Sequence, residues 1–273
     1  MKNKIIPLFL VFLSFGMLAQ NNVFSKKPLT IGEIVELKST VLNENRILNI
    51  YLPLEYDKNL EKKYPVIYVL DGTINEDFLH IVGLTQFASF SWINIMPESI
   101  VVGIANVDRK RDFTFPTTIK KDKKDFPTTG SSAKFINFLK NEVQPFITKN
   151  YQISAVKTII GQSLGGLLAT EILFKNPDLF DNYVIVSPSL WWDNQSLLQL
   201  NPVTYTTKKS IFVAVGKEGK IMERDAKNLY KKLKKDNNTS TKVYFEFFEN
   251  QDHGDVLHLA SYNAFVKVFK KKK

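Results

Sequence analysis

Apolar and polar residues follow two different periods along this chain, and together these periods predict a sheet covered by helices. Residues 31–37 and 46–52 alternate polar and apolar positions around the turn-prone segment Asn43-Glu44-Asn45, which predicts a β-hairpin at a sheet edge. Residues 64–70 and 100–104 are continuously apolar, as expected for strands that are buried on both faces. The early part of the chain therefore predicts an edge hairpin beside buried strands.

Strand-like and helical segments alternate through the rest of the chain. Helices are predicted over residues 75–90, 131–150, 167–174, 195–200, 224–235 and 255–270, and further strands over residues 156–160, 183–187, 211–215 and 242–248. Pro145 is expected to kink its helix or to end the first part of it. Strands separated by helices imply an α/β fold, here a mostly parallel eight-stranded sheet with helices on both faces. Residues 106–130 follow neither period and predict a long loop, which is a candidate lid because loops of that length are usually functional.

The composition fits one large domain. A chain of 273 residues with 44% hydrophobic residues can bury a sizeable core, and no repeat or linker divides it. The net charge of +10 comes mainly from lysines without a nucleic-acid-binding motif, so it predicts a solvated surface and no nucleic-acid site. The absence of cysteine excludes disulfides, thiolate catalysis and cysteine zinc sites.

Residues 1–20 have the features of a secretory signal peptide. Two lysines precede an apolar run over residues 5–18, and the small residue Ala19 follows it. We expect cleavage near Ala19 or Gln20, which leaves residues 21–273 as the folded domain. The mature protein is then expected to be periplasmic or secreted without a stable membrane anchor. An uncleaved N-terminal anchor is the alternative, although the run is short for a membrane span.

The segment 161–166, Gly-Gln-Ser-Leu-Gly-Gly, lies between a predicted strand and a predicted helix. This context is typical of a nucleophile elbow, a sharp turn that raises a serine hydroxyl out of the sheet. Side chains at Gly161 or Gly165 are expected to collide with the neighbouring strand and helix. Ser163 is therefore the candidate nucleophile, and the alternative is a serine that only caps the helix.

A serine hydroxyl needs a general base within hydrogen-bond reach, and the chain has three histidines. His253 lies in the polar loop 250–254 between the last strand and the last helix, at the sheet edge where the elbow is expected. His80 and His258 fall within predicted helices and are interpreted as packing or surface residues. His253 is the candidate base.

The base is in turn oriented by an acid, which in enzymes with this elbow lies between the serine and the histidine in the sequence. The strand 211–215 runs into Gly216-Lys217-Glu218-Gly219, and Glu218 is the preferred acid. Glu223 and Asp225 remain alternatives, although both also suit the negatively charged first turn of the next helix.

Backbone amides are the candidates for stabilising a developing oxyanion. The amide of Leu164 begins the helix after the serine, where N–H groups have no intrahelical partner. A second donor is expected from the loop after residues 64–70, with either Gly72 or Thr73 as donor and Asp71 in a structural role. A simple Asp-Gly turn is the alternative.

These residues resemble the putative esterase family of α/β hydrolases, which includes esterase D-like enzymes and siderophore esterases. The similarity spans nearly the whole mature chain and is carried by residues 64–72, 102–112, 161–166, 187–193 and 252–254. The Ser-Pro-Ser-x-Trp-Trp block that starts at Ser187 is the most specific of these. The resemblance implies an α/β-hydrolase fold, a small-molecule ester substrate, Ser163 as nucleophile and His253 as base, with no metal or organic cofactor. It leaves the acid open, because some siderophore esterases of this kind use a serine–histidine pair.

The sequence constrains the substrate-binding residues less than it constrains the catalytic ones. Trp191 and Trp192 are candidates for an aromatic wall around an aryl or catecholate acyl group, and core packing of at least one of them is the alternative. Arg109 is a candidate partner for an anionic substrate by the resemblance, and a salt bridge to Asp108 or Asp112 is the alternative. The predicted function is that of a serine carboxylesterase acting on siderophore or other aromatic esters. Acyl transfer, thioester or peptide hydrolysis, and a non-catalytic binding role remain alternatives on the same fold.

Overall fold

The computed structural model describes residues 25–235 and 240–269 of the chain. Residues 25–30 have no helix or strand and belong to a unit separate from the compact unit that starts at Ile31. The predicted signal peptide, residues 1–20, lies outside the described residues. No helix within the described ranges combines the length and the apolar character needed to cross a bilayer.

The described chain forms a sheet of eight strands in the order β1-β2-β4-β3-β5-β6-β7-β8. The strands are β1 (Gly32–Ser39), β2 (Glu44–Tyr51), β3 (Tyr64–Val69), β4 (Ile100–Ile104), β5 (Ile153–Gln162), β6 (Asn182–Val186), β7 (Lys209–Gly216) and β8 (Thr241–Phe248). The β1–β2 and β2–β4 pairs are antiparallel and all other neighbouring pairs are parallel. The predicted edge hairpin and mostly parallel sheet are confirmed. The carboxyl ends of β3 to β8 consequently meet at one edge.

Helices cover both faces of the sheet. They are α1 (Asp77–Ser89), α2 (Arg109–Phe113), α3 (Lys120–Asp125), α4 (Ser132–Phe138), α5 (Gln144–Asn150), α6 (Leu164–Lys175), α7 (Trp192–Gln199), α8 (Lys220–Lys235) and α9 (Val256–Val268). A π-helical turn, Leu139–Val143, joins α4 to α5 and ends two residues before Pro145. Because proline has no N–H to donate to the preceding turn, the regular helix is interrupted here, as the sequence predicted.

Apolar residues form two cores, one on each face of the sheet. In β3, Val66 and Tyr68 belong to the core that also contains residues of α4, α5, α6 and α8. Ile67 and Val69 belong to the core that contains residues of α1 and α9. Successive side chains of a strand point to opposite faces, so a strand covered on both sides must be apolar throughout. The two cores hold the strand ends, and the loops that follow them, in fixed relative positions.

Residues 106–130 contain two short helices, so the prediction of a loop without regular structure is wrong. Helix α2 begins after Asp108, whose side chain accepts a hydrogen bond from the amide of Arg111 at 3.0 Å. Phe113 and Phe115 are buried and tie the segment to the core. Helices of five and six residues are too short to display an apolar period, which is why the sequence pattern does not reveal them.

Candidate active site

The turn between β5 and α6 holds Ser163 in a backbone conformation that residues with a side chain rarely adopt, with φ 58° and ψ −119°. A Cβ atom on Gly161 would lie 2.4 Å from the carbonyl oxygen of Gly165, so only glycine fits at position 161. A Cβ atom on Gly165 would meet its nearest neighbours at 3.4 Å, which is an ordinary contact, so the expected collision at Gly165 is wrong. Strand, turn and helix have the geometry of a nucleophile elbow.

The carboxylate of Glu218 lies against the imidazole of His253. Nδ1 of His253 is 2.5 Å from Oε2 of Glu218. The other carboxylate oxygen, Oε1, accepts hydrogen bonds from the hydroxyl of Ser187 and, at 2.9 Å, from the amide of Gly216. The side chain of Glu218 is 2% exposed and that of His253 is 49% exposed. A buried acid therefore holds a histidine that solvent and small molecules can still reach.

The contact shifts the pKa values of the two groups in opposite directions. Burial by itself raises the pKa of Glu218, but hydrogen bonds from His253, Ser187 and Gly216 outweigh burial and hold this pKa below its ordinary value. The hydrogen bond to Glu218 raises the pKa of His253, and the negative charge of Glu218 adds to this effect, although burial opposes it. The site thus favours the state in which His253 has accepted a proton, which is the state that a general base reaches during catalysis.

The two alternative acids lie in other surroundings. Glu223 accepts a hydrogen bond at 3.0 Å from a backbone amide at the start of α8. Asp225 is fully buried and pairs with Nε of Arg224 at 2.8 Å. Of the three carboxylates, Glu218 is the one that the structure brings to His253.

Hydrogen bonds connect the serine turn to loops on both sides. Nε2 of Gln162 donates to the carbonyl of His253 at 2.6 Å, so the elbow and the histidine loop are in direct contact. The hydroxyl of Ser189 lies 3.3 Å from the hydroxyl of Ser163, and the amide of Ser189 donates to the carbonyl of Ser163 at 3.0 Å. The sequence alone assigned no role to Ser187 or Ser189, although the Ser-Pro-Ser block that contains them is the most specific motif of the chain.

Three strands that are neighbours in the sheet are followed by non-glycine residues with positive φ. These residues are Asp71 near the end of β3 (φ 56°), Ser163 after β5 (φ 58°) and Ser187 after β6 (φ 44°). Such backbone conformations are costly for residues with a side chain, and they cluster at functional sites. The three residues lie at the same edge of the sheet, which also carries the loops of Glu218 and His253.

Of the two candidate oxyanion donors in the loop after β3, one is excluded by its hydrogen bonding and one remains. The amide of Gly72 donates to the carbonyl of Ile104 at 3.0 Å and is therefore engaged, so the prediction of Gly72 as a donor is wrong. A Cβ atom at Gly72 would lie 2.3 Å from the amide nitrogen of Ile104, so glycine is required here by the close approach of β4. Thr73 remains the candidate in this loop. Leu164 is the first residue of α6, so its amide lies outside the intrahelical hydrogen-bond ladder.

Arg109 pairs with Asp71, which lies 38 residues away in the sequence. Nε and Nη2 of Arg109 donate to the two carboxylate oxygens of Asp71 at 2.6 and 2.9 Å, so the alternative of a salt bridge to Asp108 or Asp112 is wrong. Nη2 also donates to the carbonyl of Gln162 at 3.2 Å. Arg109 thus bridges the loop after β3 and the end of β5. Its charge is matched by a carboxylate of the protein, which weakens its assignment as the partner of an anionic substrate.

The two adjacent tryptophans have different surroundings. Trp192 is fully buried, and its Nε1 donates to the carbonyl of Phe115 at 2.9 Å, so its assignment to a substrate-facing wall is wrong. Trp191 is partly exposed, and its ring centroid lies 6.0 Å from that of Phe126. Trp191 remains a candidate for an aromatic wall.

This strand order, with a serine at the β5–α6 turn and a histidine in the loop after β8, defines an α/β hydrolase. The sequence family described as "Putative esterase" matches residues 39–264, and the chain belongs to that family. The protein is therefore an ester-hydrolysing enzyme, and the interpretation as a non-catalytic binding protein is set aside.

Individual relatives agree with this assignment. Ferri-bacillibactin esterase BesA of Bacillus subtilis (strain 168) is 30% identical over 243 residues, which cover 79% of this chain and 82% of that protein. Among solved structures, an IroE-like serine hydrolase from Shewanella oneidensis has a TM-score of 0.78 at 26% identity and covers 87% of this chain and 80% of its own. The BES protein from Bacillus cereus has a TM-score of 0.78 at 27% identity, covering 90% of this chain and 99% of its own. The predicted fold class is confirmed.

Proposed function

We propose that this enzyme hydrolyses siderophore esters through a catalytic triad of Ser163, His253 and Glu218. The observation that carries the proposal is the 2.5 Å contact between Nδ1 of His253 and Oε2 of Glu218. The histidine loop is in turn hydrogen-bonded to Gln162, directly before Ser163. An acid on Nδ1 leaves Nε2 as the basic nitrogen, and it stabilises the imidazolium that forms when Nε2 takes a proton.

The reaction follows the acyl-enzyme path. Ser163 attacks the ester carbonyl while its proton moves to His253, and the amides of Leu164 and Thr73 donate to the oxyanion. Each such donor lowers the barrier by roughly 3 kcal/mol. His253 then protonates the leaving alkoxide, and water releases the acid by the same steps in reverse order. Every group required is a side chain or a backbone amide of this chain.

The relatives and one aromatic cluster support the substrate class. BesA is by its name a ferri-bacillibactin esterase. In this chain Trp191 follows Ser189 by two residues and contacts Phe126, and Nζ of Lys110 lies 5.0 Å above the centre of the Phe126 ring. Aromatic rings beside a cation favour an aryl acyl group that carries negative charge.

Location forms a separate part of the proposal. The apolar run of residues 5–18 between two lysines and Ala19 supports export through a cleaved signal peptide, and action in the periplasm or outside the cell. The test is to determine the N-terminal sequence of the protein recovered from the periplasmic, extracellular and membrane fractions. Cleavage near residue 20 is the expected result, and an intact N-terminus in the membrane fraction contradicts it.

The activity is tested with a panel of p-nitrophenyl acetate, p-nitrophenyl octanoate, a feruloyl ester and a catecholate trilactone. Ser163→Ala and His253→Ala are expected to abolish turnover, and the trilactone is expected to have the highest kcat/KM. Glu218→Ala is expected to reduce kcat by about 10³–10⁴-fold, because the base then lacks its orienting acid.

The matched control is Glu223→Ala, which removes a carboxylate from the same loop and helix start without touching His253. Unchanged turnover in Ser163→Ala would contradict the proposed triad. Equal losses of turnover in Glu218→Ala and Glu223→Ala would exclude Glu218 as the acid. Trp191→Ala is expected to raise KM for the trilactone and leave KM for p-nitrophenyl acetate unchanged. Product analysis with competing alcohols distinguishes hydrolysis from acyl transfer.

A further inference from the structure

The hydroxyl of Ser189 is a buried polar group beside the reacting oxygen, and the reaction described above does not use it. Its oxygen lies 3.3 Å from Oγ of Ser163, and Ser189 as a whole is 3% exposed. The amide of Ser189 also donates to the carbonyl of Ser163 at 3.0 Å. Two contacts to one residue fix Ser189 relative to the elbow.

The packing around Ser189 holds it in this place. The amide of Trp192 donates to the carbonyl of Ser189 at 3.1 Å, and Trp192 is itself anchored in the core. A Cβ atom on Gly166 would lie 3.0 Å from Cα of Pro188, so the segment before Ser189 packs closely on the start of α6. The backbone of Ser189 therefore cannot move away from Ser163 without disturbing the core.

The two serines of the Ser187-Pro188-Ser189 segment contact different catalytic candidates. Oγ of Ser187 donates to Glu218, whereas Oγ of Ser189 contacts Ser163. We propose that Ser189 donates a hydrogen bond to Oγ of Ser163 as negative charge develops on that oxygen, and thereby increases the reactivity of the nucleophile. This inference rests on the proposed role of Ser163.

The distance indicates when the interaction acts. Hydroxyl–oxygen hydrogen bonds are usually about 2.7–2.8 Å long, so the resting contact at 3.3 Å is weak. Hydrogen bonds to charged oxygens are shorter and stronger than those to neutral oxygens. The contact therefore strengthens as the proton leaves Ser163, and an interaction that is stronger in the transition state raises kcat.

The proton balance needs no additional reactant. The proton of Ser163 moves to Nε2 of His253, a bond forms between Oγ of Ser163 and the acyl carbon, and the electron pair of the carbonyl moves to the oxyanion. The C–O bond to the leaving group then breaks, and the leaving alkoxide takes the proton from His253. Ser189 keeps its own proton throughout and only donates a hydrogen bond with it.

The test measures the rate at which a fluorophosphonate labels Ser163, together with kcat and KM for p-nitrophenyl acetate. Ser189→Ala is expected to slow both labelling and kcat at least about tenfold and to leave KM unchanged. Ser189→Cys keeps the branching of the side chain, with a somewhat larger atom, but offers only a weak donor, so it is expected to remain slow. The matched control is Ser261→Ala, which removes a fully buried hydroxyl that has no partner among the described residues, and it is expected to react like wild type.

The outcomes separate this inference from the proposed function. If wild type is labelled at Ser163 and Ser189→Ala is labelled at the same rate, the inference falls and the triad stands. If Ser189→Cys restores the wild-type rate, packing and not the hydrogen bond is responsible, and the inference again falls. If wild type is not labelled at all, both proposals fall together.

Discussion

Nδ1 of His253 and Oε2 of Glu218 lie 2.5 Å apart, although they come from loops after different strands. This contact is the largest of the effects that raise the pKa of His253 above its usual value of 6.5. A general base must be neutral, so kcat/KM is expected to fall as the pH drops through this raised pKa. The acid limb of the pH profile is therefore expected above pH 6.5.

Replacing Glu218 by glutamine is expected to move that limb to lower pH, because both the hydrogen bond to the carboxylate and its negative charge are lost. The matched control is Asp252→Asn, which removes the adjacent carboxylate, a minor contributor to the pKa of His253. It is expected to shift the limb much less. An unmoved acid limb in Glu218→Gln shows that the pair does not set the pKa of the base.

The two motif glycines are expected to respond differently to substitution. Gly161→Ala places a methyl group 2.4 Å from the carbonyl oxygen of Gly165, so the turn must open and activity is expected to be lost. Gly165→Ala meets only contacts of 3.4 Å or longer and gains helix propensity, so it is expected to keep most of its activity. Thermal unfolding and esterase rates of the two variants, measured in parallel, check this. Equal losses in both contradict the steric argument.

Arg109 is expected to act by positioning the loop after β3 against the elbow. Arg109→Lys cannot reproduce the two parallel hydrogen bonds to Asp71, so we expect kcat to fall by about tenfold or more while KM changes little. The control is Arg111→Lys, since Arg111 pairs with Glu44 and Asp112 instead.

The same variants distinguish positioning from substrate binding. A positioning role predicts equal losses of kcat for neutral and anionic esters. A raised KM confined to anionic esters would instead establish Arg109 as a direct substrate contact, as the family resemblance first suggested.

Asp77, the first residue of α1, has a pKa raised to about 7 by burial and by the neighbouring charges of Asp71 and Glu76. The native state therefore keeps a proton that the unfolded chain releases near the ordinary carboxyl pKa of 3.8. The contribution of this group to stability is complete below pH 3.8 and is lost as the pH rises to about 7. Asp77→Asn is expected to remove this loss and to raise the free energy of unfolding at pH 8 by on the order of 2 kcal/mol relative to wild type.

Urea unfolding of wild type and Asp77→Asn at pH 4 and pH 8 checks this. The difference between the two proteins isolates Asp77 from all other titrating groups. Glu76→Gln, which removes one of the charges that raise the pKa, is expected to retain most of the pH dependence. A constant difference between wild type and Asp77→Asn over this range contradicts the expectation.

The sequence predicts the parts of this molecule that depend on local pattern. The hairpin, the eight strands and the elbow follow from apolar periods and from glycine spacing over a few residues. The contact between Glu218 and His253 is predicted by the position of both residues shortly after the ends of parallel strands, because parallel strand ends meet at one edge. In these cases the decisive information lies within one element and its flanks.

The remaining features depend on contacts between distant segments. The partner of Arg109 is Asp71, and no local pattern distinguishes it from the nearer Asp108 or Asp112. Trp191 and Trp192 are chemically alike, and it is Trp192 that is buried, with its Nε1 paired to the carbonyl of the distant Phe115.

Gly72 is excluded as an oxyanion donor by a hydrogen bond to the neighbouring strand β4. Each of these outcomes needs the relative placement of two loops, and a single sequence does not contain that placement.

Asp71, Ser163 and Ser187, the residues with positive φ at three adjacent strand ends, have a consequence for how this enzyme loses activity on unfolding. Strained backbone of this kind costs on the order of 1–3 kcal/mol for each residue and persists only while surrounding packing enforces it. We expect these turns to relax first, before the two cores separate, when heat or denaturant loosens that packing. The upper working temperature of the enzyme is then expected to be set by local unfolding of one sheet edge, with activity lost while the tryptophan fluorescence of the core still reports a folded protein.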